Sequence, residues 1–349
     1  GTYGFSYQGL TQLLADPGTP PPDCMAPAMT GLNEYEHWCA EGGAFWWQIG
    51  IGWGLQLAGQ KARREGNWQA WYEIRESIEK ETYLINGHEL LKKHDPKGMA
   101  MKWIQSSKTS SGDWKKYHPL KTWLSKPMLL IGGWWDPHLK GILNIYEESL
   151  KAGGNPSLLI GPATHIKWWE NLQKTQLDFF KYHLANEKDP KIKLQKKLFW
   201  NLTTKRWEDL TPTNPLPTWS FFSKGLACID SSDGLLLEDQ EGSGLVSLVH
   251  DPWRPVPAIG GHLLSNAGEA NRQNIDIRAD VATFSTSFFK KTINIQAIPI
   301  LKLIAKCDQE SFDLCVSLSI IEEMSEKTKQ LSTGILRVNG KDANQLVKR

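Results

Sequence analysis

The stretch P-M-L-L-I-G-G-W-W-D, from Pro127 to Asp136, sets the reading of this chain. It is a short, continuous apolar run without the alternation of a half-exposed strand. A strand covered on both faces has this pattern. A second such run, S-L-L-I from Ser157 to Ile160, lies further on. Between the two, Leu139–Leu150 carries apolar residues at helical spacing and stops before Gly153-Gly154. Leu177–Leu184 reads as part of another helix. Strand, helix, strand, helix at these lengths predicts a parallel sheet with crossover helices. Cys24–Thr30 adds a further candidate for a buried strand.

Open parallel sheets present ligand-facing groups at the carboxyl ends of their strands. Asp136 directly follows the first run, and His165 closes L-L-I-G-P-A-T-H after the second. They stand 29 residues apart, about one strand–helix–strand unit. Near the start, G-F-S-Y-Q-G at Gly4–Gly9 sets a serine between glycines, ahead of Leu10, Leu13 and Leu14 at helical spacing. A serine on a sharp turn that opens a helix is a nucleophile elbow, here with the second glycine one place later than in G-x-S-x-G. A serine nucleophile requires a general base, and the base an orienting carboxylate. The order Ser, Asp, His is that of α/β-hydrolases. Ser6, Asp136 and His165 are therefore the candidate catalytic residues.

The other eight histidines are read as structural or solvated. His138 is too close to Asp136 to be a separate strand-end base; His37, His88, His94 and His118 fall in an inserted segment; His183, His250 and His262 lie beyond the sheet. His88-Glu89-Leu90-Leu91-Lys92 departs from the zincin pattern at its fifth position.

That inserted segment runs from about residue 32 to 125. It is rich in Trp, Glu and Lys, and Trp68–Glu81 has helical periodicity, so a mostly helical cap is expected. Its most apolar part, Ala44–Gly59, is too short to span a bilayer, which takes ~20 apolar residues. Gly50, Gly52 and Gly54 do not match G-x-G-x-x-G, which leaves a packed, aromatic-rich segment. Lys188, Lys191, Lys193, Lys196 and Lys197 mark a solvated connector after residue 187. Beyond it, short apolar runs are split by Gly, Pro, Asn and Asp: Leu198–Trp200, Trp219–Phe222, Leu245–Val249, Val281–Ser285, Ile293–Ile298, Leu301–Ala305, Phe312–Ile320 and Gly334–Val338. Such spacing predicts an all-β sandwich. The expected organisation is an α/β part over residues 1–187 and an all-β part over 188–349.

Composition narrows the function classes. The 349 residues suffice for two or three domains, and 40% hydrophobic with 22% charged residues is ordinary soluble usage. A net charge of +2 leaves no basic footprint for nucleic acid. Five scattered cysteines without a C-x-x-C pair read as free thiols, neither a disulfide framework nor a structural zinc site, which suits a cytoplasmic protein. The unusual count is 17 tryptophans. Trp134 and Trp135 precede Asp136, and Trp168 and Trp169 follow His165, so these four are candidates for an aromatic substrate pocket. No cofactor or metal is implied.

Three blocks give the chain a resemblance to the cocaine esterase / Xaa-Pro dipeptidyl-peptidase family of serine hydrolases. The first is G-F-S-Y-Q-G at Gly4–Gly9, which fits that family's G-x-S-Y-x-G form. The second is I-G-G-W-W-D at Ile131–Asp136 with G-P-A-T-H at Gly161–His165. The third is D-P-W-R-P-V-P-A-I-G-G at Asp251–Gly261 with R-A-D-V at Arg278–Val281. The resemblance implies Ser6 as nucleophile, Asp136 as orienter, His165 as base and the Tyr7 backbone N–H as an oxyanion donor. It implies a partial α/β-hydrolase sheet with a helical cap, followed by a jelly-roll, galactose-binding-like sandwich.

The reaction implied is cleavage of an ester or amide in a small molecule or short peptide through an acyl-enzyme. No nucleic-acid or membrane partner is expected, and a homodimer is left open. Some members of the family release dipeptides from a free N-terminus. Glu34, Glu36 and Glu41 are candidates to hold such an ammonium group, whereas the clustered tryptophans favour a bulky hydrophobic acyl or aromatic part. In the family several strands, and a Tyr that supplies a second oxyanion donor, precede the elbow, while five residues precede Ser6 here. The chain is thus expected to be N-terminally truncated and weakly active alone. The alternative is an inactive hydrolase remnant whose jelly roll binds a saccharide or a partner protein.

Overall fold

The computed structural model describes residues 1–107, 114–185, 197–209, 217–262, 266–322, 325, 327–340 and 342–348. The connector lysines Lys188, Lys191, Lys193 and Lys196 lie outside these residues.

The chain opens with β1 (Thr2–Phe5), the short helix α1 (Tyr7–Thr11) and β2 (Met25–Ala28). A π-helical turn, Tyr35–Cys39, leads into a hairpin of β3 (Ala40–Glu41) and β4 (Ala44–Phe45). Helices α2 (Trp47–Arg64), α3 (Trp68–Glu79), α4 (Tyr83–His94) and α5 (Met99–Ser107) follow, then α6 (Lys121–Leu124). The chain returns through β5 (Leu129–Trp135), α7 (Leu139–Lys151), β6 (Ser157–Thr164), α8 (Leu172–Leu184), β7 (Lys197–Asn201) and β8 (Arg206–Asp209).

Six strands form one sheet in the order β1-β2-β5-β6-β7-β8. All neighbours are parallel except the β7–β8 pair. The apolar runs are continuous because each central strand feeds two cores. Met25, Leu130, Leu158 and Ile160 pack with Ile142 and Ile145 of α7. Ala26, Ala28, Leu129, Ile131 and Leu159 pack with Leu172 and Phe179 of α8 on the opposite face. A side-chain period of two converts a solid apolar run into two buried faces.

Helices α2 to α5 of the inserted segment have a core of their own that includes Ile51, Leu55, Ile74 and Leu91. Asn67 caps α3 by accepting a hydrogen bond from the Ala70 N–H at 3.1 Å. Gly50 and Gly54 sit where α2 is most closely approached: a Cβ would lie 2.3 Å from the Phe45 ring and 2.4 Å from Ala100 Cβ, respectively. These glycines serve packing.

Leu198–Trp200, expected in the sandwich, instead forms β7 and extends the main sheet beside β6. The physical reason is the same two-faced burial: Leu198 joins the α8 side and Phe199 the α7 side. Further along, β9 (Trp219–Phe222) pairs with β10 (Leu235–Glu238), and a short helix α9 (Gln273–Asp276) precedes β11 (Ile300–Lys306), β12 (Ser311–Ile321), β13 (Thr328–Asn339) and β14 (Asp342–Lys348). β11 pairs with β14 and β12 with β13, all antiparallel. Leu245–Val249, Val281–Ser285 and Ile293–Ile298, expected as strands, form none; Ser285 makes a single bridge to Leu235. Leu245, Val249 and Ile298 are exposed, so Leu245–Val249 and Ile293–Ile298 lack the covered face that would select a ladder, whereas Val281–Phe284 are half-buried and Phe284 packs edge-on to Phe221.

The two pieces of the third sequence block meet. Arg278 grips Asp280 through two hydrogen bonds and donates a third, at 2.8 Å, to the Arg254 carbonyl. No helix among the described residues is long and apolar enough to cross a membrane.

Candidate active site

Ser6 joins β1 to α1 with φ 58° and ψ −134°, a backbone conformation that non-glycine residues rarely hold. The surroundings fix it there. The Ser6 N–H donates to the Ala28 carbonyl at 3.0 Å, and the Ser6 carbonyl accepts from the N–H groups of Gly9 and Leu10. A Cβ on Gly4 would lie 2.7 Å from the Gln8 carbonyl oxygen, and one on Gly9 would lie 2.9 Å from that of Ala28. The second glycine belongs at position 9 because α1 crosses the end of β2 at that point.

Asp136 and His165 leave the ends of adjacent strands β5 and β6. Gly133 lets these strands close: a Cβ there would stand 2.4 Å from the Ala163 carbonyl oxygen. The three expected residues converge. His165 Nε2 lies 3.0 Å from Ser6 Oγ, and His165 Nδ1 lies 2.7 Å from Asp136 Oδ1. With the Nδ1 proton directed at the carboxylate, Nε2 accepts from the serine hydroxyl. Asp136 is fully buried, and its second oxygen accepts from the His138 backbone N–H at 3.1 Å.

Two other histidines, read as bystanders from the sequence, support this corner. His138 is buried; its Nδ1 donates to the His37 carbonyl at 2.6 Å, and its ring stands edge-on to His165 with centroids 4.9 Å apart. Burial pulls the His138 imidazole down from 6.5 to about 4 despite the nearby Asp136 charge. His37 uses Nδ1 as an acceptor for the N–H groups of Leu32 and Asn33, and burial, reinforced by Lys140, lowers it to about 4 as well. The one sequence signal for His138 was its place just past a strand end, at the mouth of α7. Asp136, His138 and His165 form the one group of three His, Cys or carboxylate side chains, among the described residues, whose ligand atoms all lie within 4.8 Å of one another.

The four flanking tryptophans divide. Trp168 stays at the site, its N–H donating to the His165 carbonyl at 3.1 Å and its ring edge-on to Phe5. Trp134 turns away: its N–H donates to the Trp200 carbonyl at 2.7 Å and its ring packs on Phe199. Trp169 covers Gly161 and meets Trp207. Trp135 is half-buried at the end of β5. Much of the tryptophan surplus is packing, since Trp38, against His138, stacks on Trp53, which meets Trp103 in the cap. Tyr7 opens α1 directly after the serine, with its side chain exposed.

Of the three acidic candidates, Glu36 is exposed and bound to Lys140, and Glu34 accepts from the Lys115 N–H at 3.5 Å. Glu41 is half-buried, accepting from the Trp46 N–H and facing His262 Nε2, each at 3.3 Å. His262 arrives from the C-terminal part, whose loop also brings Gly268 beside Thr164, the neighbour of His165. The hairpin β3–β4 docks on β13, with the Arg337 N–H donating to the Gly42 carbonyl at 2.7 Å.

The family model described as X-Pro dipeptidyl-peptidase (S15 family) matches residues 1–167, and that of the X-Pro dipeptidyl-peptidase C-terminal non-catalytic domain matches residues 172–346. The chain belongs to the cocaine esterase / X-Pro dipeptidyl-peptidase family. Among its relatives, the cocaine esterase of Rhodococcus sp. (strain MB1 Bresler) is 25% identical across 84% of this chain and 58% of its own length. Two crystal structures of a CocE/NonD family hydrolase from Staphylococcus aureus share the fold. Each has a TM-score of 0.52 and 12% identity, over 99% of this chain and 59% of theirs. The chain thus spans just under three-fifths of the length of these relatives.

Proposed function

We propose that this chain carries the nucleophile, base and orienting carboxylate of a serine acyl hydrolase. The reading rests on one observation: a serine held at positive φ at the end of a parallel strand, hydrogen-bonded to a histidine that is itself bonded to a buried carboxylate. Ser6 attacks the substrate carbonyl while His165 takes its proton. Asp136 holds the ring and stabilises the imidazolium. The backbone N–H of Tyr7 faces the developing oxyanion. His165 then protonates the leaving group, and water, activated by the same ring, releases the acyl group from Ser6. We read the antiparallel strand pairs of the C-terminal part as belonging to a jelly-roll sandwich that leans on this site.

The substrate is an ester or amide with a bulky apolar part. Phe5 lies 5.7 Å from the His165 ring and 5.3 Å from Trp168, so an aromatic surface flanks the base. Glu41 favours a second reading, in which this half-buried carboxylate takes the ammonium of a peptide's N-terminus.

A fluorophosphonate probe should label the protein at Ser6, and Ser6→Ala should abolish labelling. Unchanged labelling of Ser6→Ala refutes the assignment, and an unlabelled wild-type protein favours an inactive binding module. A panel of acyl p-nitrophenyl esters beside Xaa-Pro amides separates the two substrates. Faster turnover of the amides, lost in Glu41→Gln, selects the dipeptide reading.

A further inference from the structure

We propose that Asp136, His138 and His165 together form a site for a borderline divalent cation, Zn²⁺ foremost, and that its occupation switches the hydrolase off. The binding half of this inference stands on geometry alone; the switching half rests on the hydrolase reading of Ser6 and His165.

A serine hydrolase requires one imidazole and one carboxylate at this place. Here a second imidazole is built in beside them. The three side chains come from the end of β5, the mouth of α7 and the end of β6, and one ligand atom from each lies within 4.8 Å of the others. Two imidazoles and a carboxylate are a donor set that Zn²⁺ takes readily, with a fourth position left open. Ca²⁺ and Mg²⁺ prefer all-oxygen sites.

His138 has the outer support of a metal ligand. Histidines that bind metal usually donate their other ring N–H to a carboxylate or backbone carbonyl, which fixes the tautomer. The Nδ1 of His138 makes such a bond to the His37 carbonyl at 2.6 Å, so its Nε2 carries a free lone pair. The hydrolase reaction as proposed makes no use of that lone pair.

The consequence for catalysis follows from His165. Both of its ring nitrogens are committed, Nδ1 to Asp136 and Nε2 to Ser6. A cation on either one stops the cycle, because the ring can then no longer take the serine proton while held by the carboxylate. Chelation of the cation restores it.

The test uses the whole chain with Zn²⁺ as the probe. Titration calorimetry on wild-type protein should give one specific Zn²⁺ per chain, retained in Ser6→Ala. His138→Phe keeps the ring volume and His138→Asn keeps a donor for the His37 carbonyl. Either should weaken Zn²⁺ at that site by about tenfold or more, with thermal melts reporting that each variant is folded. In parallel, Zn²⁺ should block fluorophosphonate labelling of wild-type Ser6, EDTA should reverse the block, and Mg²⁺ should have no effect. Equal Zn²⁺ affinity in wild type and both folded His138 variants overturns the site. Labelling that persists when the site is saturated overturns the switch. A wild-type protein unlabelled without metal instead refutes the hydrolase reading, and the calorimetry still decides the site.

Discussion

Acid should loosen the corner behind the candidate site through His37, and the size of the effect can be worked out. Its Nδ1 accepts two backbone N–H groups, from Leu32 at 3.0 Å and Asn33 at 3.1 Å. Protonation would place a third hydrogen against both donors, inside a buried pocket. Folding therefore lowers the imidazole from 6.5 to about 4, burial being the larger cause and the Lys140 charge the next. Because the folded value is depressed, the unfolded chain binds the proton more readily. Stability is then fully present above pH 6.5 and is lost as the pH falls toward 4. Between pH 7.5 and pH 4.5 the loss from this one group is about 2–3 kcal/mol. His37→Asn isolates it, since its amide oxygen, on the same carbon as Nδ1, can accept the same N–H groups and does not titrate. Urea unfolding midpoints at the two pH values should show the wild type losing about 2–3 kcal/mol more than His37→Asn. Equal losses in the two proteins would refute the argument that a neutral His37 ring pins the Leu32–Cys39 turn.

Other expected outcomes follow from single contacts. Asp136→Asn, isosteric but unable to hold the imidazolium, should lower kcat on an activated ester by about 10⁴ while leaving the melting temperature nearly unchanged. Gly9→Ala forces a Cβ to within 2.9 Å of the Ala28 carbonyl and should lift α1. Fluorophosphonate labelling should slow by about tenfold or more, with a stability cost of about 1–3 kcal/mol; wild-type labelling would show that the elbow tolerates the shift. Gly42→Ala meets both a φ of 54° and an Ile335 carbonyl oxygen 1.9 Å from the new Cβ. It should lower stability by about 1–3 kcal/mol and speed proteolysis of the β3–β4 hairpin, and an unchanged cleavage rate would remove that hairpin from the contact with β13.

What the sequence made legible was whatever depends on local pattern. Pro127–Trp135 and Ser157–Ile160 read as buried strands because both faces are apolar, and they are β5 and β6. Ser6, Asp136 and His165 stood out because strand ends and elbows have recognisable grammar. Less legible was anything decided by a distant partner. β1 is a four-residue strand whose ladder exists only because β2 lies beside it. Leu198–Trp200 has the composition of a sandwich strand and was claimed by β6. Trp134 looked like a pocket wall until the Trp200 carbonyl took its N–H. His138 and His262 could not be separated from solvated histidines, since what distinguishes them is contact with residues from other parts of the chain.

The distance along the chain between Ser6 and His165 carries a consequence for how the protein is made. The two are 159 residues apart, with the nucleophile first and the cap between them. At about 5–20 residues per second, a ribosome needs roughly 8–30 s to pass from one to the other. Throughout that interval Ser6 is an ordinary, unactivated hydroxyl. Even its strained backbone has no anchor until β2 brings the Ala28 carbonyl. Under the proposed function, a nascent chain therefore has no activated nucleophile until His165 has emerged, while the C-terminal part is still to be made.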